Sequence, residues 1–362
     1  MFPIFCNFVP LQKYRQQYNY KTMNKTTLLS AALLISAQCA FAQSEDKTLV
    51  VVAGQESALA YNQGIKDHNN KNFAVATENY TKALQTNQQF YQALYNRGLS
   101  ELSQNKNGDA QNDFNQAVSL NENPRYYLAR SVSNARLRNF KEALQDIDKA
   151  QNLGYDNAEI SYFRGMVYLL AGNYAEAEKQ YNFAVSANNR LAKAYCDRGT
   201  AHYLRGNYKA AIDDYNTAIE IDHSATYAYV FRAQAKAESG NLTAAIADIN
   251  SALEINPDDY DLINTRGQLQ AKNKKYDKAA ADFDALIEKY PDEPSAYISY
   301  GNMYFDRQQF EKAKEYFTKA IEKDPYNYIA YNNRANASEM LFETKNADSD
   351  RKKAESFLNP KL

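Results

Sequence analysis

Apolar and polar residues recur along most of the chain with the spacing of amphipathic helices, and the helical pattern itself repeats about every 34 residues. Each period contains two helical segments, positions 1–14 and roughly 17–30, with few Gly or Pro residues inside them. A small residue, which we number position 8, marks a fixed point in every period: Gly64, Gly98, Ser131, Gly165, Gly199, Ala233, Gly267, Gly301 and Ala335. Self-similarity at this period predicts tandem two-helix units.

Two further positions support the same register. Position 20 is Ala in every period: Ala76, Ala110, Ala143, Ala177, Ala211, Ala245, Ala279, Ala313 and Ala347. Position 24 is large and apolar in eight periods: Tyr80, Phe114, Ile147, Tyr181, Tyr215, Ile249, Phe283 and Phe317. We expect positions 8 and 20 to face each other across closely packed helices, and position 24 to fill the space between neighbouring hairpins. Because no single hairpin buries both of its faces, stacking must supply the core.

Two sequence blocks carry a family resemblance: AYCDRGTAHYLRGNYKAAIDDYNTAIEID, within residues 192–225, and AYISYGNMYFDRQQFEKAKEYFTKAIEKDP, within residues 294–327. Over residues 57–361 the chain resembles the tetratricopeptide repeat family. The resemblance implies an all-α, right-handed superhelical solenoid of about nine two-helix hairpins, with the first helix of each lining a concave groove. The implied repeats are 57–90, 91–123, 124–157, 158–191, 192–225, 226–259, 260–293, 294–327 and 328–361. In the last repeat Arg351 replaces an aromatic residue, which suits a terminal hairpin with a wettable outer face.

The N-terminal part of the chain is predicted to be a targeting segment. Residues 23–42, MNKTTLLSAALLISAQCAFA, combine a positive charge, a short apolar stretch and small residues before the cleavage point, which is typical of a signal peptide cleaved after Ala42. Residues 1–22 fit that pattern poorly, so we expect translation to begin at Met23. Lipidation of Cys39 is the alternative to cleavage after Ala42.

Cleavage would place the mature chain outside the cytoplasm, in the periplasm, at the outer membrane or in the extracellular space. Residues 43–56 would then form a short segment before the first repeat. The apolar stretch of the signal is shorter than the ~20 residues that a membrane-spanning helix needs. We therefore expect no integral membrane span after signal cleavage.

The composition argues against three classes of function: nucleic-acid binding, metal or cofactor binding, and catalysis. The chain has 42 Lys and Arg against 43 Asp and Glu, and this balance argues against a nucleic-acid partner, which requires a basic stripe. The three His and three Cys show no metal-ligand spacing, so neither a metal site nor a cofactor is expected. Cys196 lies beside Asp197, whose charge should raise the thiol pKa and disfavour a nucleophilic role. No catalytic constellation is present in the sequence, and we expect no enzymatic activity.

Positions 2, 5, 9 and 12 share one face of the first helix, which we expect to line the groove. In repeats two to five this face is apolar: Tyr95, Leu99, Leu128, Val132, Tyr162, Met166, Leu169 and Tyr203. Such a lining suits an amphipathic helix or the apolar side chains of an extended segment. The alternative is that the superhelix buries these residues against its own neighbours.

In the C-terminal half the same face carries amides. Position 9 holds Gln234, Gln268, Asn302 and Asn336, and position 5 holds Asn264 and Asn332. Because an amide both donates and accepts hydrogen bonds, a row of them can bind the backbone of an extended peptide. The alternative is a solvated face of indifferent polar residues.

Arg recurs at position 7 in seven repeats: Arg97, Arg130, Arg164, Arg198, Arg232, Arg266 and Arg334. Position 7 points nearly opposite the predicted groove face. We therefore interpret these residues as structural, with the stem packed on an aromatic ring and the guanidinium on a helix end or an acid of the adjacent repeat.

Together these patterns predict a non-catalytic scaffold of the cell envelope that binds a partner protein or peptide in its groove. The alternative is a holdase-like chaperone that shields apolar segments of exported proteins. The two differ in selectivity, since a scaffold retains one stoichiometric partner and a holdase binds many unfolded clients.

Overall fold

The computed structural model describes residues 56–358 of the chain. The predicted signal peptide, its cleavage point, the start at Met23 and the thiol of Cys39 all lie outside the described residues. Within residues 56–358 the secondary structure consists of eighteen helices and no strand. The predicted all-α fold of two-helix hairpins is confirmed.

The described residues fall into two compact units, divided between Ala225 and Thr226. The helices of the first unit are α1 (Glu56–Asn69), α2 (Phe73–Thr86), α3 (Tyr91–Ser103), α4 (Asn107–Leu120), α5 (Pro124–Arg136), α6 (Phe140–Asn152), α7 (Asn157–Leu170), α8 (Tyr174–Ala187), α9 (Ala192–Leu204) and α10 (Tyr208–Ile221). Those of the second unit are α11 (Thr226–Glu238), α12 (Leu242–Ile255), α13 (Tyr260–Lys272), α14 (Tyr276–Lys289), α15 (Pro294–Asp306), α16 (Phe310–Lys323), α17 (Tyr328–Met340) and α18 (Thr344–Leu358). Odd-numbered helices are the first helices of their hairpins.

Each hairpin turns through one left-handed residue at position 15. In α7–α8, for example, Gly172 has φ +79°, and its backbone N–H donates to the Leu169 carbonyl at 3.1 Å. The equivalent residues all have positive φ: Lys71, Asn105, Arg138, Gly206, Gly240, Lys274, Gln308 and Phe342. Glycine adopts this conformation at no steric cost, whereas the other residues are held in it by the turn.

At the glycines of position 8, the nearest side chain of the second helix is the ring at position 24, with position 20 close beside it. A Cβ atom added to Gly199 would lie 2.8 Å from Cε1 of Tyr215 and 3.2 Å from the carbonyl oxygen of Ala211. A Cβ atom added to Gly165 would lie 2.6 Å from Cε1 of Tyr181, and one added to Gly301 would lie 2.5 Å from Cε1 of Phe317. The alanines at position 20 are also fully buried, but the aromatic ring one turn further along the second helix lies directly over the glycine. The ring therefore packs within its own hairpin as well as against the next one.

The last hairpin has the polar outer helix expected of a terminal repeat. Arg351 is part-exposed and forms an ion pair with Glu339. Ala347 and Ala354, on the inner face of α18, are buried. The arginine thus replaces the ring that would otherwise pack beneath a further hairpin.

Candidate protein-interaction site

The apolar residues predicted to line the groove are buried in the structure. All eight are at most 4% exposed: Tyr95, Leu99, Leu128, Val132, Tyr162, Met166, Leu169 and Tyr203. The Tyr162 hydroxyl donates to Oδ2 of Asp197 at 3.1 Å, and the Tyr95 ring packs on Tyr126 with centroids 4.6 Å apart. The structure thus corresponds to the second alternative, burial, and these side chains do not form an exposed binding surface.

The amides of the second unit occupy a different environment. Gln234, Gln268, Asn302, Asn332 and Asn336 are half-buried, on successive first helices. The Gln268 side chain donates to Oγ of Ser299 at 2.8 Å. These residues form one face of the second unit that solvent can still reach.

A hydrogen-bond pattern joins position 9 of one hairpin to position 6 of the next. Gln268 reaches Ser299 in this way, and Asn333 Nδ2 donates to Asn302 Oδ1 at 3.0 Å. Ser299 and Asn333 are buried partners that the sequence analysis missed. The available signal was the spacing of 31 residues between a position 9 amide and a polar position 6.

Part of the hydrogen-bonding capacity of this row is unused within the described residues. Oδ1 of Asn264 is buried and has no hydrogen-bond partner there. Asn302 uses only its carbonyl oxygen, and the Asn336 amide makes no side-chain hydrogen bond in the described region. We define the amide face as Asn264, Gln268, Asn302, Asn332 and Asn336. It offers both donors and acceptors to a ligand.

The structural role predicted for the position 7 arginines is confirmed. Arg198 donates from Nε and Nη2 to the two carboxylate oxygens of Asp214, at 2.9 and 2.6 Å, and from Nη1 to Asn182 of the preceding hairpin at 2.7 Å. Its Cζ lies 5.2 Å from the centroid of the Tyr195 ring. The acid belongs to the same hairpin rather than to the adjacent one. Five other repeats have the same pair: Arg97–Asp113, Arg130–Asp146, Arg232–Asp248, Arg266–Asp282 and Arg334–Asp350.

One arginine departs from this arrangement. Gln180 stands where the other hairpins have the acid, so Arg164 pairs with Asp148 of the preceding hairpin at 2.6 Å. This is the adjacent-repeat contact that the sequence analysis expected. In all seven cases the guanidinium joins helices and does not extend toward a ligand.

The cysteine has the environment of a packing residue. Cys196 is 1% exposed, and burial, with a smaller contribution from Asp197, raises the pKa of its thiol well above the ordinary value. The thiol is therefore protonated and inaccessible. Within residues 56–358, no group of three His, Cys, Asp or Glu side chains is arranged to hold a metal ion.

A membrane-spanning helix is likewise not found among the helices α1 to α18, none of which is long and apolar enough to cross a bilayer.

The chain is similar to several solved structures. A tetratricopeptide repeat protein from Parabacteroides merdae ATCC 43184 is 20% identical, with 70% of this chain and 98% of that chain covered and a TM-score of 0.47. PilW, a type IV pilus biogenesis factor, is 18% identical, with 57% and 96% covered and a TM-score of 0.47. YrrB, a tetratricopeptide repeat protein with an unusual peptide-binding site, is 22% identical, with 50% and 94% covered and a TM-score of 0.33.

Among curated proteins, tetratricopeptide repeat protein 6 from Homo sapiens is 29% identical over 123 residues, which are 33% of this chain and 23% of the human protein. The match thus spans about a quarter of that relative's length.

Family models of the tetratricopeptide repeat match the chain almost continuously between residues 95 and 354. One model matches residues 95–156, 136–192 and 264–328, and three others match 192–224, 226–259 and 316–354. The matched residues include most of the hairpins from α3 onward and the arginine series described above. The chain therefore belongs to the tetratricopeptide repeat family.

Proposed function

We propose that this chain is a non-catalytic scaffold that holds an extended segment of a partner protein against the amide face of its second unit. Tetratricopeptide repeat proteins generally act as protein-interaction scaffolds and bind other proteins or peptides. The observation that carries the proposal is the row of half-buried amides on α13, α15 and α17, part of whose hydrogen-bonding capacity is unused within the described residues.

An extended peptide suits this face for a physical reason. A peptide backbone in the extended conformation presents N–H and C=O groups on alternating sides, and an amide side chain can satisfy either group. The side-chain NH2 group of Asn302 and the amide of the half-buried Asn336 make no side-chain hydrogen bond within the described residues. The face therefore offers donors and an acceptor to the C=O and N–H groups of an extended peptide.

The cellular setting belongs to the proposal as well. The signal-peptide pattern of residues 23–42 supports export, with the scaffold acting in the periplasm or at the outer surface of the cell. The near-zero net charge supports a protein partner rather than a nucleic acid. A protonated, buried Cys196 gives no support for nucleophilic catalysis.

Capture of partners from an envelope extract tests the proposal. The full chain and an Asn302→Ala/Asn336→Ala variant are each crosslinked to the extract and purified. Both substitutions truncate half-buried amides without adding charge. Because Asn302→Ala also removes the acceptor of the Asn333 side chain, circular dichroism and a thermal melt verify that the variant is folded. We expect one or two stoichiometric partners with the wild type and a loss of affinity of about five- to thirtyfold with the variant, which corresponds to the loss of one or two hydrogen bonds of ~1 kcal/mol each.

The matched control is Asn182→Ala/Asn250→Ala, which truncates two exposed amides on the second helices α8 and α12. Unchanged capture by this control together with loss by the first variant supports the amide face. Equal capture by both variants contradicts it. Substituting Tyr162 or Met166 by Glu is unsuitable as a probe, because both side chains are fully buried and the charge would unfold the hairpin.

The same experiment separates the scaffold from a holdase. A holdase would capture a diffuse set of unfolded clients and suppress their aggregation. Burial of the apolar lining in repeats two to five weighs against it, because a holdase needs exposed apolar surface.

A further inference from the structure

The second unit has basic residues concentrated at one end of its hairpins. Four lysines lie at the α13–α14 turn and the start of α14, and two more cations lie at the α15–α16 turn and the start of α16. We define this group as the basic edge: Lys272, Lys274, Lys275, Lys278, Arg307 and Lys312, all exposed. Asp277, Asp306 and Glu311 lie in the same segments, so the edge keeps a net positive charge.

These six cations form no ion pair within the described residues. Elsewhere in the chain comparable cations do have acidic partners, such as Lys236 with Asp248 at 2.8 Å and Arg205 with Glu178. Arg307 instead packs on aromatic rings, with its Cζ 4.7 Å from the centroid of Tyr276 and 5.9 Å from that of Tyr304. The two rings hold the guanidinium at the edge of the unit and leave its donors for a carboxylate.

Of the two rings at Arg307, Tyr276 is the aromatic residue usual at position 17, whereas Tyr304 adjoins a local change in the repeat pattern of the α15–α16 hairpin. In this hairpin Tyr300 and Tyr316 occupy the places of the usual arginine and aspartate, with centroids 4.4 Å apart. Tyr304 stacks on both of them, at 5.3 and 5.4 Å. The internal ion pair has thus been replaced by an aromatic stack, and three cations lie against its rings. Lys319 is 4.8 Å from the centroid of Tyr316, and Lys312 and Arg307 are 5.3 and 5.9 Å from that of Tyr304.

The opposite ends of the same hairpins are acidic. Positions 29–34 of repeats six to eight read EINPDD, EKYPDE and EKDPYN, which contain eight acidic residues and two lysines. The corresponding segments of repeats one and four, QTNQQF and SANNRL, contain no acid, so the acidic character is not a requirement of the hairpin. We define the acidic edge by its exposed members Glu254, Asp258, Glu288, Asp292 and Glu322.

The two edges are separated by the length of the helices. Helices of 13 or 14 residues in this unit are roughly 20 Å long at 1.5 Å per residue. At physiological ionic strength, with a Debye length of about 8 Å, charges this far apart within one molecule hardly attract each other. Within the acidic segments Asp258 pairs with Lys289 at 2.6 Å and Asp292 with Lys323 at 3.0 Å. Eight acidic residues against these two lysines still leave the acidic edge with a net negative charge, which an oppositely charged surface of another molecule can contact.

We propose that the occupant of the basic edge is the acidic edge of a second copy of this chain. The charges are complementary, both edges belong to the same repeats, and Arg307 is preorganised for a carboxylate. Because the two surfaces differ, the contact is heterologous, and it extends head to tail into a ring or a filament. This self-association involves the hairpin ends and is independent of peptide binding on the amide face.

Sedimentation velocity of the full chain tests this association. At low salt we expect the mass to rise with protein concentration, and at high salt we expect monomer, because the attraction is screened. A basic-edge variant, Lys272→Glu/Lys275→Glu/Lys278→Glu, and an acidic-edge variant, Asp258→Lys/Glu288→Lys/Asp292→Lys, should each weaken association by at least ~tenfold. An equimolar mixture of the two variants restores complementarity and should associate again.

The matched control is the variant Lys82→Glu/Lys352→Glu/Lys353→Glu, which changes three exposed lysines outside the basic edge. This variant should associate as strongly as the wild type does. Circular dichroism of each variant verifies folding. A wild type that stays monomeric at low salt overturns the proposal. Association that neither edge variant weakens, or a mixture of variants that stays monomeric, overturns it as well.

Discussion

At the residue scale, the side chains at positions 8 and 24 vary together in size: a smaller residue at one position accompanies a larger residue at the other. Glycine at position 8 accompanies Tyr or Phe at position 24, as in Gly301 and Phe317. Where position 8 is larger, as in Ser131 and Ala233, position 24 is Ile. Dense packing explains the pairing, because the added atoms at one position occupy the space of the ring at the other.

A glycine substitution tests this pairing. Gly301→Ala should lower the free energy of unfolding by ~1–3 kcal/mol, because the new Cβ overlaps the Phe317 ring. Adding Phe317→Ile should recover most of the loss, since the chain already uses an Ala–Ile pair at Ala233 and Ile249. Chemical denaturation of the single and double variants measures both effects. A double variant less stable than Gly301→Ala would contradict the pairing.

The arginine series leads to a second stability prediction. Arg198→Ala leaves the buried carboxylate of Asp214 without its bidentate partner and should cost ~2–4 kcal/mol. Lys179→Ala removes only an exposed ion pair with Glu176 and should leave the melting temperature unchanged. Partner capture should survive both changes, measured at a temperature where both variants are folded. Loss of capture by a folded Arg198→Ala protein would assign this arginine to the binding site.

A buried glutamate makes stability depend on pH. Burial, and next the charge of Asp113, raise the pKa of Glu101 from 4.5 to about 8, against the opposing effect of Arg97. Between these values the folded chain keeps a proton that the unfolded chain releases, so the free energy of unfolding falls as pH rises from 4.5 to about 8.

Thermal melts across that pH window measure this effect. Glu101→Gln keeps the shape of the protonated side chain and removes the titration, so its melting temperature should decline less toward pH 8 than that of the wild type. Asp109→Asn, an exposed neighbour on α4, is the control for a general loss of negative charge. Parallel pH profiles for Glu101→Gln and the wild type would show that this carboxyl titrates normally.

At the element scale, the left-handed residue at position 15 fixes each hairpin turn. Three turns of the second unit have a non-glycine residue there, namely Lys274, Gln308 and Phe342, and Phe342 is 91% exposed with φ +61°. Gln308→Gly should raise the free energy of unfolding by ~1 kcal/mol, because glycine adopts φ +59° without a steric penalty. Gly206→Ala, at φ +82°, should lower it by a similar ~1 kcal/mol. Calorimetry of the two variants measures the opposite shifts, and shifts of the same sign would contradict this account of the turn.

Much of this architecture could be predicted from the sequence. Helical periodicity and the fixed small residue located the helices, because both patterns depend on local spacing. Position 20 was predicted to face position 8 and does lie near it, but the prediction missed that the ring at position 24 is nearer still. The 3.6-residue period gives the face of a helix but not which side chain on the facing helix lies closest. Comparing the residues paired at positions 8 and 24 could have corrected the prediction.

At the scale of the whole molecule, the candidate site was only partly predictable. The amides share a face because their register is periodic, but Ser299 and Asn333 bind them from the next hairpin, and sequence spacing alone did not single out those contacts. The apolar lining around Tyr162 shared the same helix face and is buried. The helical period predicts which way a side chain points from its helix. Whether that side chain is exposed depends on what packs over the same face of the helix, and the period does not give this.

Site-specific photo-crosslinking tests the central claim most directly. A photoreactive phenylalanine analogue is placed at Asn302, on the amide face, or at the exposed Ala281 of α14 as the matched control. The full-length proteins are then irradiated in an envelope extract. If the amide face holds a partner segment, the analogue at position 302 will crosslink to one or two proteins that the analogue at 281 does not reach. Crosslinks from position 281 alone, or the same diffuse set from both positions, would contradict the claim.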